Sequence, residues 1–181
     1  TVTGAWWGFE GRWQSTAWTG HRLTAGFEYR DNFRQDQRND DRVPDDPTLA
    51  CIDVGTGAPC LDDRRDGSLW AVYAQDELAL GARTRLTLGL RYDRNRGSHW
   101  SPRLGLIRHS AEAGTFKLLY AESFREANVY ERFYVLPALS AANPSLDAEH
   151  LRSLEGIWEY EIGPMTRVNA SLYAYRYQDL I

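Results

Sequence analysis

The feature of this sequence that most constrains its fold is an alternation of apolar and polar residues with a period of two. It is clearest in residues 85–93, where one face would carry Leu86, Leu88, Leu90 and Tyr92. Similar alternation occupies residues 7–14, 21–30 and 168–175. Successive side chains of a β-strand point to opposite faces, so this period indicates strands with one apolar and one polar face. No segment of comparable length has helical spacing, and the chain is therefore predicted to be all-β.

The predicted strands are long. Strands of soluble sheets usually have about five or six residues, whereas a tilted strand needs about 9–11 to cross a bilayer. Most of the predicted strands reach that length, which favours an antiparallel, up-and-down transmembrane β-barrel segment of about eight strands. These strands cover residues 5–16, 21–33, 68–80, 83–95, 100–109, 115–125, 149–162 and 166–178.

The connections between these strands alternate in length. Residues 17–20, 81–82, 111–114 and 163–165 are tight turns. Of the three connections between them, residues 39–67 and 126–148 form long links and residues 96–99 a link of moderate length. In an up-and-down sheet, every second connection lies at the same rim. The pattern therefore places the tight turns at one rim and the long loops at the other, as in outer-membrane barrels.

Two other architectures share the alternation. In a soluble β-sandwich or ligand-binding barrel, the apolar faces would turn inward against each other. A self-contained eight-stranded outer-membrane barrel, with a structural or adhesive role, would pair its first strand with its last. In the transmembrane interpretation, charges in mid-strand such as Glu28, Arg91 and Glu155 face a watery lumen, where they cost little. Strand length and one-sided loops favour the transmembrane segment over both alternatives.

Composition excludes several functions. The chain has 21 Lys and Arg against 25 Asp and Glu, with a net charge of -4, so the clustered basic excess of a nucleic-acid-binding protein is missing. No run of about 18 apolar residues exists, and no transmembrane helix is predicted. The 7 Trp and 10 Tyr suit a membrane interface. The tryptophans fall mostly near predicted strand ends, and we expect them to form an interfacial girdle. They are Trp6, Trp7, Trp13, Trp18, Trp70, Trp100 and Trp158.

The two cysteines lie in a polar segment rich in Pro, Gly and Asp. Cys51 and Cys60 have neither CxxC spacing nor a neighbouring histidine, so no metal site is predicted there. A short disulfide loop, which would place the segment in an oxidising compartment, is the preferred interpretation. Two unpaired surface thiols are the alternative.

No arrangement of catalytic residues is found, so the chain is not predicted to be an enzyme and no cofactor is expected. The four histidines are scattered over predicted turns and strand ends, where we interpret them as solvated or interfacial. The charged tract of residues 36–42, 45–46 and 62–66 lacks the ligand spacing of a calcium loop. We interpret it as a solvated extracellular loop.

Several passages match the sequence patterns of a known family. Residues 101–106 (SPRLGL), 120–131 (YAESFREANVYE) and 143–149 (NPSLDAE) resemble its patterns SPRLGL, YGxAFRAPNxYE and NPNLKPE in order and spacing. Residues 73–77 and 86–93 resemble its patterns YAQDEW and LTLGLRYD. These passages resemble the barrel of TonB-dependent receptors, the outer-membrane transporters of siderophores, cobalamin and similar cargo. The likeness covers residues 73–181. It departs from the family at Glu126, Ala127 and residues 147–148, which concerns the loop and not the strands.

The resemblance implies a barrel of 22 strands filled by an N-terminal plug. Eight strands cannot close around a plug because barrel width grows with strand number. Residues 1–181 are therefore expected to be a partial β-barrel domain, with the plug domain and the remaining strands absent. Two further features lead to the same expectation. The sequence starts without a signal peptide, and it ends, at residues 179–181, without a terminal aromatic residue.

The resemblance also implies a function. The chain is expected to be part of a receptor in the bacterial outer membrane that takes up a scarce nutrient such as a ferric siderophore or cobalamin. Its expected partners are outer-membrane lipid, a metal-chelate or similar cargo, and a TonB-type energy-coupling protein that acts through the plug.

The candidate ligand-binding residues lie near the predicted outer mouth. Aromatic rings stack on a chelate, and arginine pairs with its carboxylates or catecholates. The alternative is that these residues brace the loop against the barrel wall by hydrogen bonds. For Arg125 the resemblance implies a structural role within the lumen as much as binding. The candidates are Arg125, Tyr130, Glu131 and Arg132.

Overall fold

The computed structural model describes residues 1–40, 51, 59–136 and 140–181, and nearly all of its regular structure is β-strand. One short helix, α1 (Val129–Phe133), interrupts the strands. No helix among these residues has the length and apolar character needed to cross a membrane. The strands are β1 (Val2–Ser15), β2 (His21–Asn39), β3 (Leu61–Asp63), β4 (Gly67–Ala79), β5 (Thr84–Arg94), β6 (Ser98–Ser110), β7 (Gly114–Arg125), β8 (Glu149–Ile162) and β9 (Thr166–Gln178).

All strands belong to one antiparallel sheet. Its order is β1-β2-β4-β5-β6-β7-β8-β9, with β3 paired beside the far end of β2. Within the part of the chain that the structure describes, β1 and β9 do not pair with each other, and the sheet stays open. The pairing expected of a self-contained eight-stranded barrel is therefore wrong.

The sandwich alternative is also wrong. It requires two facing sheets with the apolar side chains sealed between them, whereas the described residues form a single sheet. The buried apolar residues of that sheet and its loops are small. Large apolar side chains such as Leu88, Leu104 and Phe116 are instead exposed. The buried apolar set is Cys51, Ala71, Ala127 and Ala148.

The eight long strands confirm the predicted all-β segment, and two elements differ from the prediction. β2 continues to Asn39 because β1 pairs with it as far as Gln37 and β3 pairs with residues 37–39, which places residues 36–39 and 62–63 in strands and not in a solvated loop. Of the other residues of that tract, 40 and 64–66 lie outside the strands, and 41–42 and 45–46 lie outside the described residues. The short helix α1 was not predicted either, although Asn128 and Glu131 have the spacing of a capping box.

The four connections predicted to be tight lie together at one rim, as expected. Residues 16–20, 80–83, 111–113 and 163–165 connect strands there. Residues 40–66, 95–97 and 126–148 connect them at the opposite rim, where two of the three connections are long and residues 95–97 form a short turn. We call these two rims the short-turn rim and the long-loop rim. Each turn at the short-turn rim includes or adjoins a glycine with φ between 68° and 82°, a region that a side chain would strain. These glycines are Gly20, Gly81, Gly114 and Gly163.

The strand register gives the sheet an apolar face and a polar face. Directly paired residues share a face, so Leu86 lies between Leu78 and Leu106 on the apolar face. The polar face carries charged residues, and some of them pair with each other. Arg91 donates to Asp93 at 2.8 Å and 2.9 Å and to Glu28 at 2.7 Å. This segregation is the one expected of a wall between lipid and a watery lumen.

Aromatic rings cluster on the apolar face near the long-loop rim. Ring centroids are 5.4 Å apart for Trp7 and Tyr29, 5.5 Å for Trp70 and Tyr92, and 4.7 Å for Tyr92 and Trp100. Such a belt is typical of the membrane interface. Trp6 differs from the predicted girdle. It lies at a break in the β1–β2 register and packs 4.9 Å from the guanidinium of Arg30, which belongs to the polar face.

Gly26 allows a close contact on the polar face. Tyr73 donates a hydrogen bond from its hydroxyl to Glu10 at 2.8 Å, and its ring lies directly over Gly26, so that a Cβ there would overlap the ring. We expect Gly26→Ala to displace the ring and to lower the free energy of unfolding by about 1–3 kcal/mol, the usual cost of overpacking. Thermal unfolding of the full-length protein in detergent, followed by circular dichroism, measures this loss.

Gly11→Ala is the matched control, because a Cβ at Gly11 meets no atom within 4 Å. It should leave the unfolding temperature unchanged. Equal shifts in unfolding temperature for the two variants would show that the position of the Tyr73 ring does not depend on the absence of a side chain at Gly26.

Candidate ligand-binding site at the long-loop rim

The link between β7 and β8 begins with a capped helix. The side chain of Asn128 accepts a hydrogen bond from the Glu131 backbone N–H at 2.9 Å. The Glu131 carboxylate accepts one from the Asn128 backbone N–H at 2.8 Å. These reciprocal bonds satisfy two backbone donors that a helix start otherwise leaves free. They set α1 at the rim, immediately after the end of β7.

Arg125, the last residue of β7, holds α1 against β8. Its guanidinium donates to both carboxylate oxygens of Glu131 at 2.9 Å and 3.0 Å, and to those of Glu149 at 2.8 Å and 3.0 Å. Forked pairs of this kind are among the stronger and more directional ion pairs. Nε, Nη1 and Nη2 of Arg125 thus all donate to two carboxylates, and Arg125 acts as a brace between α1 and β8.

Tyr130 and Arg132 point in different directions from α1. The Tyr130 ring is 51% exposed and stacks on Tyr134 with centroids 4.3 Å apart. Arg132 is only 5% exposed and donates from Nη2 to the carbonyl of Pro144. Its guanidinium also lies 4.6 Å from the centre of the Phe133 ring. Among the described residues, Nε of Arg132 has no hydrogen-bond partner.

The far end of β2 is joined to the long loop after β7. Gln37 donates to the backbone carbonyl of Val129 at 2.8 Å, and Asn39 donates to the hydroxyl of Tyr134 at 2.9 Å. Both donors are only 2% exposed. The two segments are far apart in sequence, and their contact covers the polar face at the long-loop rim; we call this contact the roof.

The two cysteines form a disulfide beside this contact. Cys51 and Cys60 are bonded, with Cα atoms 4.9 Å apart, and both sulfur atoms lie 3.8 Å from the carbonyl oxygen of Val135. The disulfide therefore closes part of the loop after β2 next to the chain that follows α1. Among the described residues, no group of three or more His, Cys, Asp or Glu side chains could hold a metal ion.

A cavity of about 600 Å³ lies under this roof on the polar face. Its charged lining has a positive excess, because only Asp66 and Glu126 oppose five arginines, and Glu126 is already 2.9 Å from His99. Guanidinium groups in a partly closed site bind the oxygens of carboxylates, catecholates or phosphates in forked geometry. The five arginines are Arg30, Arg64, Arg65, Arg96 and Arg132.

The arginines differ in how their charge is compensated. Arg65 pairs with Asp63 at 2.5 Å, and Arg64 lies 3.9 Å from Asp62. Arg96 donates to the carbonyl of Pro144 at 3.4 Å, which carries no full charge. Nε of Arg30, like that of Arg132, is buried without a hydrogen-bond partner among the described residues. Arg30, Arg96 and Arg132 thus bring positive charge to the cavity that the described carboxylates do not pair.

Of the four residues proposed from sequence, only Arg132 lines this cavity. Arg125 and Glu131 bind each other beside it, and Tyr130 lies on the outer surface of α1. The role of all four in binding stays a prediction. The sequence shows Arg30 to be on the polar face, but nothing in it brings Arg30, Arg64 and Arg96 together. Their convergence comes from strand register and loop packing.

Of the histidines interpreted as solvated or interfacial, His99 at this rim is not solvated. The His99 side chain is mostly buried, and its ring stacks on Phe124 with centroids 4.0 Å apart. Together with the contact to Glu126, this stacking fixes the turn between β5 and β6 beside the cavity.

The chain forms a single sheet that has an apolar face, a charged polar face and an aromatic belt, and its long loops lie at one rim. These features define the wall of a transmembrane β-barrel. Residues 1–181 all match the family model described as TonB dependent receptor-like, beta-barrel. The chain belongs to this family, which is one of receptors and transporters of the bacterial outer membrane. The resemblance seen in the sequence is thereby confirmed.

Solved receptors share the fold. The siderophore receptor PirA of Pseudomonas aeruginosa is 22% identical with a TM-score of 0.70, and the match covers 95% of this chain and 31% of that one. A mutant of the ferric enterobactin receptor PfeA of the same organism is 20% identical with a TM-score of 0.75, covering 98% and 27%. A PfeA mutant in complex with enterobactin is 22% identical with a TM-score of 0.65, covering 94% and 26%. The chain therefore spans about a quarter to a third of the length of these receptors. A comparison with curated protein sequences found no match.

The brace at Arg125 leads to a prediction about the loop. Arg125→Gln removes the charge that holds Glu131 and Glu149, so residues 126–148 should open more often. Partly exposed ion pairs contribute up to about 1 kcal/mol, so cleavage by chymotrypsin within this loop should become roughly two- to fivefold faster. Limited proteolysis of the full-length protein measures the rate.

Arg167→Gln is the control, since Arg167 pairs with Glu161 at 2.6 Å at the short-turn rim. Its loss should leave cleavage within residues 126–148 unchanged. If both variants were cleaved at the wild-type rate, Arg125 would not brace the loop.

Proposed function

We propose that this chain forms part of the wall of a bacterial outer-membrane receptor that captures an anionic chelate of a scarce nutrient, such as a ferric siderophore. The arginine-lined cavity at the long-loop rim is the part of the wall that contacts the cargo. The observation that carries the proposal is the unbalanced positive charge of this cavity in a chain of the TonB-dependent receptor family.

The cavity suits a small anionic ligand. Its volume of about 600 Å³ lies within the range of roughly 300–1,000 Å³ typical of small-molecule sites. A buried donor without an acceptor is costly, so the free Nε atoms of Arg30 and Arg132 favour a ligand that brings oxygen acceptors. A neutral corrinoid such as cobalamin would leave this charge uncompensated, and we therefore favour the anionic chelate.

The four residues proposed from sequence take different roles in this scheme. Arg132 reaches the cavity and contacts cargo directly. Arg125 and Glu131 act as positioning residues because they hold α1 at the cavity edge. Tyr130 presents an exposed ring at the outer surface, where it would meet an arriving chelate first.

Uptake in this proposal is binding followed by gated passage, without bond chemistry. A plug domain of the same receptor would close the lumen, and a TonB-type protein would supply the energy through that plug. The apolar face and its aromatic belt would contact outer-membrane lipid.

The test is cargo affinity in the full-length protein. Arg30→Gln and Arg96→Gln each remove one charged donor from the cavity, and loss of such a hydrogen bond costs about 1.5–3 kcal/mol. We expect the Kd for a ferric tris-catecholate, followed by quenching of tryptophan fluorescence, to rise about 10- to 100-fold.

Arg22→Gln is the matched control. Arg22 lies on the polar face at the short-turn rim, 3.8 Å from Glu77, and should leave the Kd unchanged. A neutral ferric trihydroxamate should bind wild type and variants alike. If the tris-catecholate bound the cavity variants as tightly as wild type, the cavity would not be the cargo site.

A further inference from the structure

Two arginines face each other on the apolar face. Arg152 of β8 is the direct cross-strand partner of Arg176 of β9. Like charges placed opposite each other in an antiparallel pair repel and destabilise the sheet. The register therefore holds two cations together on the apolar face, and this arrangement favours a bound anion between them.

The protein compensates this charge only in part. Arg152 lies 3.5 Å from Glu122, and its side chain is 52% exposed. Arg176 is exposed, and within the described part of the chain its side chain makes no hydrogen bond or ion pair. One carboxylate thus stands against two guanidinium groups.

The arginine pair lies at the level of lipid head groups. It is one step closer to the long-loop rim than the row formed by Tyr120, Leu154 and Ala174. Tyrosine rings on the lipid side mark the interface, and an arginine there costs little, whereas it costs about 2–4 kcal/mol at the centre of the bilayer. The pair therefore belongs to the outer interface.

An apolar groove runs along the same strands toward the short-turn rim. Its volume is about 490 Å³. Gly156 and Ala170 form its floor, and a Cβ at Gly156 would meet no atom within 4 Å. Leu172, one of its walls, is 83% exposed. Gly156 is four residues from Arg152, about 13 Å along the strand, which an acyl chain spans easily.

We propose that β7, β8 and β9 bind a phosphate-bearing lipid of the outer leaflet. Its phosphate lies between Arg152 and Arg176, and one acyl chain lies in the groove over Gly156. The site faces away from the cargo cavity. It rests on the proposed membrane location and not on the nature of the cargo. Forked guanidinium donors match phosphate oxygens, and the groove buries apolar surface that the sheet leaves exposed.

The test is lipid retention by the full-length protein in native mass spectrometry. The probe is phosphatidylglycerol, compared with phosphatidylcholine of the same acyl chains and with glycerol 3-phosphate, which has no acyl chain. We expect wild type to retain phosphatidylglycerol preferentially. Because a basic residue at an anionic lipid surface contributes a factor of about five, the double variant R152Q/R176Q should reduce this retention more than tenfold.

Matched variants separate the two parts of the site. Gly156→Leu fills the groove without touching the arginines and should also reduce retention, whereas Gly11→Leu on the same face of β1 should not. Arg108, at the other end of the groove, donates to the Thr84 hydroxyl at 3.2 Å. Arg108→Gln should leave retention unchanged.

Three results would overturn the proposal. Equal losses for Arg108→Gln and the double variant would place the head group elsewhere or reduce the effect to general attraction. Equal binding of glycerol 3-phosphate would show a site for phosphate alone. Unchanged retention in both the double variant and Gly156→Leu would show no site. The affinity for cargo, measured on the same lipid-site variants, should not change. A failure of the cargo proposal can therefore be distinguished from a failure of the lipid proposal.

Discussion

Antiparallel pairing of the backbone is the constraint from which the other features follow. Lipid offers no hydrogen-bond partner, so each strand must satisfy its N–H and C=O groups on its neighbours. Pairing also sets the register, and a slip by one residue would exchange the two faces of a strand. The alignment of Leu78, Leu86 and Leu106 on one face and the contact of Arg91 with Glu28 on the other both depend on that register.

The long-loop rim uses a different kind of interaction. There, chain segments without regular pairing are held by side-chain bonds, such as those of Arg125 with Glu131 and of Gln37 with Val129. The disulfide between Cys51 and Cys60 closes part of the same roof. This bonding leaves a polar cavity with excess positive charge, whereas Arg91, farther along the polar face, is paired with Asp93 and Glu28. The groups proposed for binding therefore lie mostly where the fold is least regular.

The candidate site could be predicted from sequence only in part. The family pattern around residues 120–131 points to this rim, and Arg132 does line the cavity. The sequence could not show that Arg125 and Glu131 neutralise each other, because that depends on how α1 lies against β8. Nor could it place Arg64 and Arg96 in one cavity, since they follow different strands. The pairing of Arg152 with Arg176 likewise requires the register of β8 and β9.

The sequence by itself determined the strands, their two faces and the rim at which the long loops lie. These properties are local, because alternation and turn residues act over a few positions. Only the tertiary structure decided that the sheet stays open within the described residues, that β2 extends to Asn39, and which charges meet at the rim. Those outcomes depend on contacts between residues far apart in the chain, whose geometry follows from register and loop packing and not from any local pattern.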